Sequence, residues 1–312
     1  MQLFIFGDIL LDEIHYVDAL PREGECRIIK TANVFYGGRG ANIAVAARKL
    51  GLNAALFSIA GRNFSSSGYE AYLRENQVNI ENVKLVQEEM SRFLLYTTTD
   101  KSYAFYNPRV DHYYDALPFN IDILKGCEMV HFTLMHEKFC ARVLKQLKNV
   151  KLKNVNMNWI ISASLGKEIY LASKRYLSLL LRVCNYLFMN EAEAKALTAK
   201  VGAEMKELLQ NENLRAMAIT SGEKGSIIQT SKRVIRIPAV KVKRARNPVG
   251  AGDAYAAGFL FGLSRNYDLL TCGRIASVVA SYAVEGFGAQ SSLPNINQVR
   301  YRYLKAFGAP FH

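Results

Sequence analysis

Apolar runs rich in strand-forming residues alternate with helix-period segments along most of this 312-residue chain. That alternation builds a parallel sheet covered by helices on both faces. Leu3 to Gly7, Ala54 to Ala60, Met129 to Thr133, Val155 to Asn158, Tyr186 to Met189 and Ala216 to Thr220 read as strands. Ala41 to Leu50, Ser67 to Gln77, Glu137 to Leu147, Lys167 to Leu180 and Glu191 to Leu197 read as the intervening helices, and the chain from Gly250 onward reads as mostly helical. The expected fold is α/β, a doubly wound, mostly parallel sheet flanked by helices.

Two stretches break the rhythm, Glu13 to Tyr36 and Ser91 to Asn107. In the second, SRFLLYTTTD and KSYAFYN flank a polar Asp100-Lys101 turn as the arms of a hairpin would. Neither stretch suits a crossover helix. Residues 13–36 and 91–107 are therefore expected to form a small β-lid on a single domain spanning 1–312, since no linker, low-complexity tract or internal repeat divides the chain.

A chain of this length can bury about three quarters of its unfolded surface, so a large core needs no disulfide or structural metal. The cysteines, at 26, 127, 140, 184 and 272, are odd in number and never spaced C-x-x-C, which points to reduced thiols. The richest apolar stretch, Tyr176 to Met189, is interrupted by Arg182, and no run reaches the ~18 residues of a membrane span. MQLFIFGDILLDE has no basic region before its apolar residues, so a cytoplasmic protein without a membrane partner is expected.

Forty basic against 27 acidic residues leave a net charge of +13, which suits nucleic acid, a membrane surface or a phosphorylated small molecule. The densest cluster, Lys241-Val-Lys243-Arg244-Ala-Arg246, immediately precedes a glycine-rich turn. With no RNP-like aromatic pattern and no C2H2 spacing, nucleic acid is not expected as a partner.

That turn is the sharpest local signal: Asn247-Pro-Val-Gly250-Ala251-Gly252-Asp253-Ala254-Tyr255, running into the helical AAGFLFGLS. Small residues at 250–252 let the backbone approach a ligand closely, and the first amides of a helix point outward with the positive end of its dipole. Such a turn is an anion hole. An acid at its end can take a proton from an attacking hydroxyl while the amides stabilise charge on a transferred phosphoryl group. A tight turn with Asp253 as helix N-cap fits the same residues.

A second signal is Tyr36-Gly37-Gly38-Arg39-Gly40-Ala41-Asn42, leading into IAVAARKLG and followed by Gly61. Paired glycines before a helix suit a hinge or a close ligand approach, and Asn42 can offer an amide to substrate hydroxyls. Ile43 occupies the last position of a G-x-G-x-x-G begun at Gly38, and G-x-x-x-x-G-K-[ST] is absent. A dinucleotide fingerprint and a P-loop are both excluded.

Together the two segments resemble the signatures of the ribokinase-like (PfkB) carbohydrate kinase family. Gly37, Gly38, Asn42, Gly51 and Gly61 match the spacing of its N-terminal signature, and Asn247 through Leu260 match the C-terminal one. Gly7-Asp8 with Asp12, then Leu20-Pro21-Arg-Glu-Gly24-Glu25, look like the family's substrate aspartate and lid segment. Asn190-Glu191-Ala192-Glu193 is similar to its N-x-x-E motif, Thr220-Ser-Gly222-Glu-Lys-Gly225 to its T-x-G-x-x-G turn, and Gly288-Ala289-Gln290-Ser291 to its C-terminal loop.

The resemblance implies ATP-dependent phosphorylation of a hydroxymethyl group. It makes Asp253 the general base and the amides of Ala251 to Asp253, in the turn Gly250-Ala251-Gly252-Asp253, the anion hole. It places Asn190 and Glu193 at magnesium and its waters, Glu193 acting through water. Thr220, Gly222 and Gly225 line the nucleotide site, and Asp12, Gly38 and Asn42 hold substrate hydroxyls under the lid. Each also has a plain structural role open to it: Asp12 as a turn residue, Glu193 as a first-turn helix acid, Thr220 as a strand-end cap.

Asn247 stands where the family most often has Asp, which removes a charge close to the monovalent-cation site of some members and puts potassium activation in doubt. Thr133-Leu134-Met135 stands where ribokinases proper tend to carry a sugar-binding glutamate. A small sugar is the leading acceptor and a nucleoside the alternative, because Val130-His131-Phe132 and the aromatics Phe93, Tyr96, Tyr103, Phe105 and Tyr106 look somewhat like nucleoside-phosphorylating members. An ordinary hairpin whose alternate aromatics face the core or a second copy is the simpler reading of those rings. Arg39, Arg92 and Arg109 could read an anionic group on the substrate, although solvated surface positions are the simpler expectation. A non-catalytic nucleotide-binding member is a further alternative, and a homodimer through the lid edge is open.

Overall fold

Strand β1 (Leu3–Phe6) sends Leu3 and Ile5 into one hydrophobic cluster and Phe4 and Phe6 into another, and all four are buried. A strand that is apolar on both faces belongs inside a covered sheet. The computed structural model, which describes residues 1–98, 101–133, 136–152, 159–211 and 213–311, places it there. In chain order the further strands are β2 (Leu10–Tyr16), β3 (Thr31–Gly37), β4 (Ala54–Gly61), β5 (Asn79–Val86), β6 (Arg92–Thr97), β7 (Ser102–Asn107), β8 (Met129–Phe132), β9 (Ile160–Ser164), β10 (Tyr186–Asn190), β11 (Ala216–Thr220), β12 (Ser226–Gln229) and β13 (Val234–Ile237).

Among the described residues, nine strands form one sheet in the order β13-β12-β11-β10-β9-β8-β1-β4-β5. All pairs are parallel except β11 with β12 and β12 with β13. The helices are α1 (Arg39–Lys49), α2 (Tyr69–Glu75), α3 (Glu137–Leu152), α4 (Lys174–Val183), α5 (Glu191–Val201), α6 (Met205–Leu208), α7 (Ala251–Ser264), α8 (Leu269–Ala283) and α9 (Ile296–Phe307). Residues of α1, α7 and α8 share the cluster of Leu3 and Ile5, whereas α3, α4 and α5 share that of Phe4 and Phe6. The doubly wound α/β fold is the one the alternation predicts. No helix among the described residues is long and apolar enough to cross a membrane.

A second sheet, ordered β3-β2-β6-β7, carries the stretches that broke the alternation. Its strands pair antiparallel, parallel and antiparallel in turn. Along β6 and β7, period two separates the aromatics. Phe93 and Tyr106 are cross-strand partners on one face, while Tyr96 and Tyr103 pair on the other.

Three strands escape the sequence pattern. β5 is a polar edge strand in which only Ile80 is buried, and β12 and β13 have four residues each. The expected strand Val155 to Asn158 lies outside the described residues, and β9 occupies the place between β8 and β10. The single helix expected over Lys167 to Leu180 is two elements, a 3₁₀ turn at Lys167–Tyr170 and then α4. Ser173 causes the break: its hydroxyl accepts the Tyr176 N–H at 3.1 Å, which is an N-cap, while Glu137 holds the Ser173 N–H at 2.8 Å.

Candidate active site

Ligands of open α/β sheets bind beyond the carboxyl ends of the strands. Here Asp8 follows β1, Ser164 ends β9, Asn190 ends β10 and Thr220 ends β11, and all four line one cavity of about 600 Å³. The small sheet forms the opposite wall with Asp12, Phe93 and Tyr106.

Helix α7 enters this cavity by its N-terminus. Gly250 is its N-cap at φ +80°, and a Cβ there would stand 2.5 Å from that of Ala289. Only glycine satisfies both conditions. Gly252 faces open space, with nothing within 4 Å of its Cβ position. The Ala251 amide, expected in the anion hole, instead donates to the Pro248 carbonyl at 3.1 Å. The amides of Gly252 and Asp253 precede the first bond of the helix, from Ala254 N–H to Gly250 C=O at 2.9 Å, and remain as the outward donors. Asn247 turns the chain into this helix, its Oδ1 accepting the Val249 N–H at 2.9 Å.

Helix α1 runs beside α7 and supplies the partners of Asp253. The Asn42 amide donates to Asp253 Oδ2 at 2.9 Å, and Arg39 Nε stands 3.5 Å from Oδ1. Arg39 was expected on the solvated surface. It is instead largely enclosed, donating to the Thr133 carbonyl and to Glu168 Oε2, each at 3.1 Å. Arg92 and Arg109 both pair with Glu89, away from Asp253. Burial raises the Asp253 carboxyl to about 6 against the opposing pull of Arg39 and Asn42.

Asp12 is 4% exposed. Burial, then the Asp8 and Asp253 charges, lift its carboxyl to about 7, with Lys167 pulling the other way. Strand register puts Phe35, Asp12, Phe93 and Tyr106 in one row across the small sheet. The Lys167 ammonium lies over the two last rings, 4.4 Å from the centroid of Phe93 and 4.9 Å from that of Tyr106.

The structure thus brings Asp12, Gly38, Asn42, Asn190, Glu193, Thr220 and residues 250–253 to one cavity. Gly222 and Gly225 are not on its wall; they belong to the turn between β11 and β12. Asn190 and Glu193 form a reciprocal capping box on α5: Asn190 Oδ1 accepts the Glu193 N–H at 2.9 Å, and Glu193 Oε2 accepts the Asn190 N–H at 3.0 Å. Lys167 and Glu168 line the cavity without having been singled out, hidden inside a stretch that reads as helix. Ser164 was missed for the same kind of reason, lying beyond the strand that the pattern predicts. Its hydroxyl meets Nε2 of the buried His131 at 3.1 Å, while Ser162 meets Nδ1 at 2.8 Å. Burial, aided by Arg39, lowers this imidazole to about 3, so it is neutral.

Residues 2–296 match the family described as pfkB family carbohydrate kinase. The nucleoside kinase of Methanocaldococcus jannaschii is 33% identical over 302 residues, covering 96% of this chain and 95% of that one. Its crystal structure superposes with a TM-score of 0.88 over 98% of this chain and 99% of that one, at 32% identity. The deoxyribokinase of Salmonella typhimurium is 26% identical over 315 residues, 96% of this chain and 97% of its own. Burkholderia thailandensis nucleoside kinase in complex with inosine shares the fold, with a TM-score of 0.87 at 22% identity over 99% of this chain and 100% of that one. The chain belongs to the pfkB family of carbohydrate kinases, ATP-dependent phosphotransferases whose acceptor is a hydroxyl group.

Proposed function

We propose that the protein transfers the γ-phosphoryl group of ATP to the hydroxymethyl group of a nucleoside. The observation that carries this reading is the row Asp12, Phe93, Tyr106. A carboxylate for sugar hydroxyls stands one strand, roughly 5 Å, from a pair of rings on which a base can stack in place of the Lys167 ammonium that lies over them. The names of the Methanocaldococcus and Burkholderia kinases support it. A free pentose is the second reading, favoured by the deoxyribokinase relative.

In this account Asp253 is the base. It takes the hydroxyl proton as the oxygen bonds to the γ-phosphorus and the bond to the β-phosphate oxygen breaks, and ADP leaves. A carboxyl near 6 is mostly ionised at neutral pH yet basic enough to accept that proton. The Gly252 and Asp253 amides stabilise charge on the transferred group. Asp12, Gly38 and Asn42 orient the acceptor, Thr220 borders the nucleotide, and the small sheet acts as a lid that keeps water from the reaction.

Magnesium, when bound, offsets charge on the phosphates. Glu193 and Asn190 fit that role: Glu193 lines the cavity and is partly exposed, and each carboxylate oxygen keeps a lone pair beyond its capping bond, which suits contact through a water. Exposed Val34, Tyr103 and Phe105 on the outer strands of the small sheet support its use as a contact with a second copy.

The test of the acceptor is Phe93→Ala. The nucleoside reading predicts a KM for nucleoside raised about tenfold with kcat for ribose little changed. An equal loss on both acceptors favours the pentose.

A further inference from the structure

Three side chains link the Gly37 carbonyl, at the end of β3, to Asp253. The Tyr69 hydroxyl donates to the Gly37 carbonyl at 2.7 Å. Gln290 Nε2 donates to the Tyr69 hydroxyl at 2.7 Å and to Asn42 Oδ1 at 2.8 Å. Asn42 Nδ2 then donates to Asp253 Oδ2. Tyr69, Gln290, Asn42 and Asp253 are all at least nine-tenths buried.

The order of donors follows from the first link. A backbone carbonyl only accepts, so the Tyr69 hydroxyl spends its proton on Gly37 and must itself accept from Gln290. That turns the Gln290 amide nitrogen toward Asn42, whose carbonyl is then occupied and whose amide nitrogen faces Asp253. Among the described residues Gln290 Oε1 is buried without a partner; the opposite flip would put the amide nitrogen in that place, leaving it unpaired instead, and would reverse the chain.

We propose that Tyr69 and Gln290 are positioning residues for the base: anchored on the Gly37 carbonyl, they occupy the Asn42 carbonyl and leave Asn42 only its amide N–H groups toward the cavity, so that it holds Asp253 ionised and offers its second N–H to an acceptor oxygen of the substrate. The inference rests on the kinase reading above. Other groups facing Asp253 are Arg39 from α1, Asp8 after β1 and Asp12 from β2. Lys167 and Glu168 stand behind them, Glu168 on Arg39 and Lys167 near Asp12. None of these touches Tyr69 or Gln290 through a hydrogen bond.

Tyr69→Phe removes the anchor without changing any charge. Gln290 and Asn42 are then free to flip together, placing the Asn42 carbonyl where it accepts a proton from Asp253 and so favours the protonated base. The acid limb of kcat/KM, which reports the free enzyme, is expected to move up by about one pH unit, the range set by losing one hydrogen bond to a charged group. KM for the acceptor should rise about tenfold while ATP affinity holds. Gln290→Met should do the same, and adding Tyr69→Phe to it should shift the limb no further, as for members of one chain.

An unmoved limb in both folded variants overturns the relay, and so do additive shifts, which would mean separate packing effects. If Tyr69→Phe does not fold, Gln290→Met alone decides, by the same limb. Failure of the underlying reading looks different: the unaltered protein would then phosphorylate neither nucleosides nor pentoses.

Discussion

Arg39 Nε lies 3.5 Å from Asp253 Oδ1 while the same guanidinium donates to Glu168 and to the Thr133 carbonyl. One side chain therefore ties the residue after β8, the Leu165 carbonyl just after β9 and the Lys167–Tyr170 turn to the helix that carries Asp253. Its charge also counters the burial that would otherwise protonate Asp253.

Replacing Arg39 by Met should show both effects. Glu168 and Asp253 lose their shared partner in a largely enclosed site, and a stability loss of about 2 kcal/mol is expected by denaturant unfolding. In the folded variant the acid limb of kcat/KM should move upward, since the main opposing charge is gone. A limb that stays in place would show that Arg39 does not tune the base.

Asp12 gives the opposite sign. Its carboxyl is raised to about 7, so the folded state binds more protons than the unfolded chain between about pH 4 and 7, and stability falls as pH rises through that window. Asp12→Asn removes this penalty. At pH 8 the melting temperature should rise by about 2 °C or more, while KM for the acceptor rises at least tenfold because an acceptor of hydroxyl protons is lost. A lower Tm at pH 8 would contradict the burial account of Asp12.

Glu193 closes the capping box of α5, and one substitution separates that cap from the magnesium role proposed for it. Glutamine closes a capping box as glutamate does, so Glu193→Gln should leave stability within about 0.5 kcal/mol. Removing the charge should raise the magnesium concentration needed for half-maximal rate about tenfold, a titration that checks the role directly. Unchanged magnesium dependence would leave the cap as its whole function.

The two glycines of the α7 turn should also part company. Gly250→Ala sets a Cβ against Ala289 at a left-handed φ, and should cost about 2 kcal/mol together with activity. Gly252→Ala meets no protein atom and should leave Tm unchanged or slightly higher, while kcat falls at least tenfold because the methyl fills the space left for phosphate. Thermal melts beside kcat for each variant decide it.

What could be read from the chain follows the range of each signal. The period-two and period-3.6 patterns fix the sheet and its helices because β1, α1 and α7 are buried on their apolar faces. Strand β5 was silent because an edge strand that buries only Ile80 carries no apolar run. The glycine turns at 37–42 and 247–253 mark backbone approach locally, so Gly38, Asn42 and Asp253 could be named from sequence. Arg39, Lys167, Glu168 and Gln290 could not be placed, because their partners come from chain segments far removed. Arg39 next to paired glycines reads as surface until β8 and the Lys167–Tyr170 turn close over it. Conversely, Gly222 and Gly225 follow their motif yet lie off the cavity wall, because a turn motif specifies a backbone and not what it faces.

Phosphoryl transfer to a nucleoside, with Asp253 as base, is the reaction proposed. Its most direct test is magnesium-dependent ADP formation from ATP over a panel of nucleosides, pentoses, hexoses and sugar phosphates, with Asp253→Asn alongside. Turnover is expected on a nucleoside, with a fall of about a thousandfold in the variant and ATP affinity within about threefold. Turnover retained in Asp253→Asn would contradict the mechanism, and activity confined to free sugars would contradict the assignment of the acceptor.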